Sequence, residues 1–171
     1  GTDIMKGEAF DSPLMPFGDE DQIGWSADGS KIAYTCKKLS GTAYAMSTNS
    51  DIYVYDLNAK NTINITEGMP GYDVKPAFSP DGSKLIWLSM KTPKYEADRN
   101  RIFQLDLKTN TKTELTSGFD YSAESITWSK DGKLIYFTCG INATDQLWVI
   151  DSHIKGIQQI RQLTKDVADI T

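Results

Sequence analysis

Short segments in which hydrophobic and polar positions alternate run along most of the chain, each closed by turn-forming residues. Alternation at every second position is the signature of half-buried β-strands, and no stripe at helical spacing competes with it. The pattern also repeats. Gly24-Trp25-Ser26-Ala27-Asp28-Gly29-Ser30-Lys31-Ile32-Ala33-Tyr34 returns as Ala77-Phe78-Ser79-Pro80-Asp81-Gly82-Ser83-Lys84-Leu85-Ile86-Trp87. It returns again as Thr127-Trp128-Ser129-Lys130-Asp131-Gly132-Lys133-Leu134-Ile135-Tyr136, which reads as one residue shorter in the turn. Asp51–Leu57, Arg101–Leu107 and Gln146–Asp151 keep step with it, as do Ile65-Thr66, Leu115-Thr116 and Leu163-Thr164.

Each unit reads as four short strands. The first ends at Trp25, Phe78 or Trp128, and Ser-x-Asp-Gly then makes a tight turn in which Gly supplies a positive φ. The second strand centres on Tyr34, Trp87 or Tyr136. The third ends at Asp56, Asp106 or Asp151, and the fourth closes on Ile/Leu-Thr. The Asp-Gly pairs begin at 28, 81 and 131, and four-stranded units at such a period are propeller blades. The expected fold is therefore all-β: a partial β-propeller of three consecutive four-stranded antiparallel blades with WD-like Ser-x-Asp-Gly repeats. Residues 1–21 read as the last strand of a preceding blade plus a loop, 22–67, 73–117 and 123–165 as the three blades, and 166–171 as the start of a following one. Trp25, Phe78, Trp128, Trp87, Tyr34 and Tyr136 are expected to form the core between blades, because repetition marks structure.

Composition narrows the function. The chain has 171 residues, 39% of them hydrophobic, and a formal charge of −5. That balance excludes nucleic acid as an expected partner, since phosphates call for clustered Lys and Arg. No apolar run reaches the roughly 20 residues of a membrane-spanning helix. Cys36 and Cys139 form no C-x-x-C pair, and the single His153 cannot complete a zinc set with them. They read as half-buried thiols at strand ends, His153 reads as a solvated turn residue, and no cofactor or metal is expected. A ring cut to three blades has two open flanks, so self-association through those flanks is expected.

The Ser-Pro-Asp-Gly-Ser-Lys-Leu blade motif resembles both the periplasmic translocation proteins of the Tol type and the prolyl oligopeptidase family of serine peptidases. Two loops point to the peptidases. Leu88-Ser89-Met90 followed by Tyr95-Glu96-Ala97-Asp98-Arg99 resembles a stretch of acylaminoacyl-peptidase-like and dipeptidyl-peptidase V-like members. Asp11-Ser12-Pro13-Leu14-Met15-Pro16-Phe17-Gly18-Asp19 resembles their Pro-Phe-Gly loop. The resemblance covers nearly the whole chain. It implies a propeller that gates and shapes the peptide site of an exopeptidase or oligopeptidase and docks a serine hydrolase domain. The parent's partners are then that domain and a peptide substrate, and its compartment is the periplasm or exterior of a bacterium, with the cytoplasm as the alternative. No Gly-x-Ser-x-Gly nucleophile elbow occurs in the chain, so the segment by itself is expected to be inactive. A Tol-type interaction module with no enzyme attached is the alternative function.

Blade topology puts the long loops Asp11–Asp21, Lys37–Asn49 and Lys91–Asn100 on one face, and long loops on a rigid scaffold commonly carry function. Glu96 is the leading candidate for substrate binding, because a carboxylate in a cavity suits the ammonium of a peptide's free amino terminus. Tyr95, Asp98 and Arg99 are candidates with it. An ion-pair network of Glu96, Asp98 and Arg99 that fixes the loop or docks the hydrolase domain is the competing reading. Asp19, Glu20 and Asp21 form a second acidic cluster, read as a solvated loop, and Tyr44, Met46 and Tyr95 are candidates for an apolar lining.

Overall fold

The computed structural model describes residues 3–16, 18–154 and 157–165. The strands are β1 (Ile23–Trp25), β2 (Lys31–Cys36), β3 (Asp51–Asp56) and β4 (Asn61–Asn64) in the first sheet, followed by β5 (Asp73–Phe78), β6 (Lys84–Ser89), β7 (Arg101–Asp106) and β8 (Thr111–Glu114) in the second. The third holds β9 (Ile126–Trp128), β10 (Leu134–Ile141), β11 (Thr144–Asp151) and β12 (Ile160–Gln162). Every strand pairs antiparallel with its sequence neighbour inside its own sheet, so each sheet is a four-stranded meander and the three stand side by side as an open propeller. The reading of residues 166–171 as the start of another blade lies outside the described residues.

The Ser-x-Asp-Gly turns are built the same way three times. The glycine N–H donates to the serine carbonyl at 2.9 Å in Gly29, 2.8 Å in Gly82 and 2.9 Å in Gly132, with φ of +69°, +69° and +72°. The serine hydroxyl donates to the aspartate at 2.7, 2.6 and 2.7 Å. This hydroxyl, with the backbone N–H two residues on, draws the carboxyls of Asp28 and Asp81 down to about 2. An acceptor locked inside its own loop makes the turn rigid, and glycine provides the left-handed corner at no steric cost.

The turn length corrects the alignment of the third repeat. Trp25 pairs with Ile32, Phe78 with Leu85 and Trp128 with Ile135. The third turn therefore lacks no residue: Lys133 stands where Ser30 and Ser83 stand, and everything after it moves by one. Because side chains alternate faces along a strand, that one-residue difference changes which aromatic enters the core. Phe137, fully buried, is the counterpart of Tyr34 and Trp87, whereas Tyr136 is only half-buried. The three counterparts each stack on the residue across the strand pair: Tyr34 on Tyr53 at 5.7 Å, Trp87 on Phe103 at 5.7 Å and Phe137 on Trp148 at 6.3 Å between ring centres. Trp25 also departs from expectation, at 59% exposed. Its counterpart Trp128 donates Nε1–H to Ala77 O of the preceding blade at 3.1 Å, whereas no sheet stands on that side of Trp25 among the described residues.

The core lies between blades. Ala33, Ile52 and Val54 of blade one meet Leu85, Trp87 and Leu105 of blade two. Ile86, Leu88 and Ile102 on the other side of blade two meet Ile135, Phe137 and Ile150 of blade three. The cysteines are fully buried rather than half-buried, and Cys139 lies within β10 rather than at its end. Burial pushes both thiols up to about 11. His153 sits in an exposed turn, its N–H donating to Asp151 Oδ1 at 3.0 Å.

Candidate functional site

The three long loops converge. A cleft of about 390 Å³ is lined by Leu14 and Met15 of the first loop, by Lys37, Tyr44 and Thr48 of the second, and by Thr92, Tyr95 and Glu96 of the third. Its floor includes Ser50, Tyr72 and Met90, where blade one meets blade two. The corresponding connection in blade three, Asn142-Ala143, is a tight turn with both residues at positive φ, so the long loops belong to blades one and two.

The first loop is held from behind. The Leu14 N–H donates to the buried Gln22 Oε1 at 2.8 Å. Two members of the acidic cluster beside it have structural partners: Asp19 accepts from Glu20 N at 2.7 Å, and Asp21 pairs with Lys75 at 2.8 Å. The second loop contains the one α-helix among the described residues, α1 (Gly41–Met46). Periodicity could not reveal it, because it is six residues long and none of them is buried. Helices this short are unstable alone. Lys37 holds this one: its Nζ donates to Ser47 O just past the helix end and lies 4.1 Å from the centre of the Tyr44 ring. Desolvation lowers the pKa of that ammonium. Tyr44 thus faces the cleft, as expected, while Met46 does not line it.

The third loop separates the four sequence candidates. Asp98 has a nearly buried side chain and accepts the Lys91 and Thr92 N–H groups, each at 2.8 Å, while pairing with Arg101 at 3.3 Å. Burial alone would raise its pKa, but the Arg101 guanidinium and those N–H groups outweigh it and hold the carboxyl well below the usual range. Arg99 donates to Phe119 O and reaches Asp120 at 3.4 Å. Neither Asp98 nor Arg99 lines the cleft; Tyr95 and Glu96 do. Among the described residues Glu96 makes no hydrogen bond and no ion pair, so the network of Glu96, Asp98 and Arg99 does not form as read, and Arg101 takes the place of Arg99 as the cation paired with Asp98. Arg101, Thr48 and Lys37 escaped the sequence reading, since no repeat marks them and their roles depend on contacts between loops.

A carboxylate without a partner, beside aromatic and aliphatic side chains in a concave site, can accept an ammonium group while the apolar walls take up the rest of a short ligand. No cluster of His, Cys, Asp and Glu able to hold a metal ion occurs among the described residues.

Comparison with known proteins places this architecture. The chain is 44% identical over 171 residues to dipeptidyl-peptidase 5 of Porphyromonas gingivalis, covering 100% of this chain and 25% of that protein. It thus spans about a quarter of that relative. Among solved structures it superposes on TolB from Acinetobacter baumannii with a TM-score of 0.61 at 23% identity, over 86% of this chain and 33% of that one. On the acylaminoacyl peptidase of Pyrococcus horikoshii the TM-score is 0.57 at 16% identity, over 82% of this chain and 24% of that one. These two likenesses concern the fold alone. The family model described as PD40, TolB beta propeller domain, matches residues 22–167, and the chain belongs to that family of β-propeller domains.

Proposed function

We propose that this chain is the propeller segment of a serine exopeptidase of the dipeptidyl-peptidase kind, and that its three-loop cleft receives the amino-terminal end of a short peptide. The observation that carries the reading is Glu96: it lines the cleft and has no internal partner among the described residues, while its neighbours Asp98 and Arg99 are fully engaged. Leu14, Met15, Tyr44 and Tyr95 supply the apolar surface for the residues that follow. On this reading the propeller shapes the site and limits the peptides that reach it, and a hydrolase domain docked on the same face supplies the nucleophile. The segment alone then cleaves nothing.

The test is Glu96→Gln in the full-length protein. KM for peptides with a free amino terminus is expected to rise about 10- to 100-fold, the value of one charge-assisted hydrogen bond. Peptides with a blocked amino terminus should be unaffected, and equal effects on both would overturn the reading. The alternative of a Tol-type interaction module predicts no turnover of either class.

A further inference from the structure

Glu96 belongs to blade two, but its place is not set by blade two alone. The loop that carries it is pinned at its base by Asp98, which gathers the Lys91 and Thr92 N–H groups and Arg101. Toward the tip, the Asp98 N–H donates to Tyr95 O at 3.1 Å. Within the tip, the Tyr95 N–H also donates to Thr92 O at 3.4 Å, closing the turn that holds Lys94. A further anchor comes from the other blade: the Lys94 N–H donates to Thr48 Oγ1 at 2.7 Å. Thr48 stands on the loop after α1, and like Tyr95 and Glu96 it lines the cleft. Lys94 has φ of +63°, a left-handed conformation that side chains other than glycine disfavour. A residue so placed stays there only where its surroundings hold it. Among the described residues that backbone N–H has no partner besides the Thr48 hydroxyl.

We infer that Thr48 is the positioning residue for Glu96, holding Lys94 in its left-handed turn so that the next two residues face the cleft. The inference rests on the proposed role of Glu96. It makes the position of the Glu96 carboxylate a joint product of two blades, so that a shift of blade one against blade two moves it.

The experiment is Thr48→Val in the full-length protein, a change that keeps the shape and removes the hydroxyl. KM for peptides with a free amino terminus should rise about three- to tenfold, as for one neutral hydrogen bond, with kcat unchanged. Blocked peptides should change clearly less, and Thr48→Ser should restore the parent value. Adding Lys94→Gly to Thr48→Val should recover most of the loss, because glycine occupies the left-handed region without help. Equal changes for free and blocked peptides, no change, or a double variant no better than the single one would each overturn the inference. Glu96→Gln, measured in parallel, separates the two ideas. If Glu96→Gln is selective for free amino termini and Thr48→Val is not, only the positioning role fails. If Glu96→Gln is itself unselective, the role of Glu96 fails and the positioning role falls with it.

Discussion

Asp73 shows how much one residue can depend on its place. It begins β5, is fully buried, and forms part of the joint between blades one and two. Its backbone N–H and C=O both bond the Ser50 hydroxyl, at 3.1 and 2.9 Å. Its Oδ1 accepts the Trp87 indole N–H at 3.0 Å, while Oδ2 has no partner among the described residues. Burial, reinforced by the charge of Asp51, pushes this carboxyl up to about 7 from an ordinary 3.8. A folded-state pKa above the unfolded one means that the folded protein holds the proton more tightly, so stability from this group is full below about pH 4 and is lost as pH rises through 7. Between pH 5 and pH 8 the parent should lose up to about 2 kcal/mol from this source. Asp73→Asn keeps the acceptor for Trp87 and should remove that part of the slope, which urea denaturation at the two pH values will measure. An unchanged slope would mean that Asp73 stays ionised throughout.

At the scale of elements, the close approach of neighbouring blades restricts the linkers between them. Gly71 precedes β5, and a Cβ there would stand 1.7 Å from Met90 O, just past the end of β6. Main chain cannot yield as a flexible side chain can. Gly71→Ala is therefore expected to cost about 3 kcal/mol or more and to disturb the cleft floor that Met90 helps to form. Gly118 makes the comparison: its φ is +80° but a Cβ would meet nothing within 4 Å, so Gly118→Ala should cost only about 1 kcal/mol. Denaturation midpoints of the two variants will rank them, and a smaller loss at Gly71 would show that the linker has room to move. The same linkers use threonine in one way three times. Thr66, Thr116 and Thr164 each follow a fourth strand and accept the N–H of Ile52, Ile102 and Leu147 at 2.9, 3.0 and 2.9 Å. The Ile/Leu-Thr repeat thus marks a lock just past the strand rather than the strand's own end.

For the whole molecule, the two flanks of the array differ in how they are covered. Both flanks were expected to stand open, but that of blade one is covered. Ile4, Met5 and Phe10 pack on Ile32, Tyr34, Cys36 and Tyr53. Residues 3–8 repeat the linker turn found after the fourth strands: Glu8 N donates to Met5 O at 2.9 Å, as Met69 N does to Thr66 O at 2.9 Å and Phe119 N to Thr116 O at 3.0 Å. The expected strand around Ile4 is absent among the described residues, where this segment is a turn. On blade three, Tyr136 stands in the position of Ala33 and Ile86, which face the following blade in blades one and two, and no sheet covers it among the described residues. Replacing Ile4 and Phe10 together by Asp should uncover the aromatic face of blade one and raise the mass seen by light scattering with concentration above that of the parent. Equal masses at every concentration would show that this flank does not drive association.

Whatever repeats locally could be read from the order of residues alone: the strand alternation, the Ser-x-Asp-Gly turns and the blade period all express short-range sterics and hydrogen bonding that recur wherever the same residues do. That order also carried the family resemblance of the Tyr95–Arg99 loop, and with it Glu96. Tertiary structure decided the rest. Register chose Phe137 over Tyr136, because only strand pairing shows that the third turn is full length. Loop packing divided four neighbouring candidates, sending Asp98 to Arg101 and Arg99 to Phe119 and leaving Glu96 at the cleft with no partner among the described residues. Those contacts join loops that lie far apart along the chain, and a pattern of periodicity carries no information about which distant group will neutralise a charge.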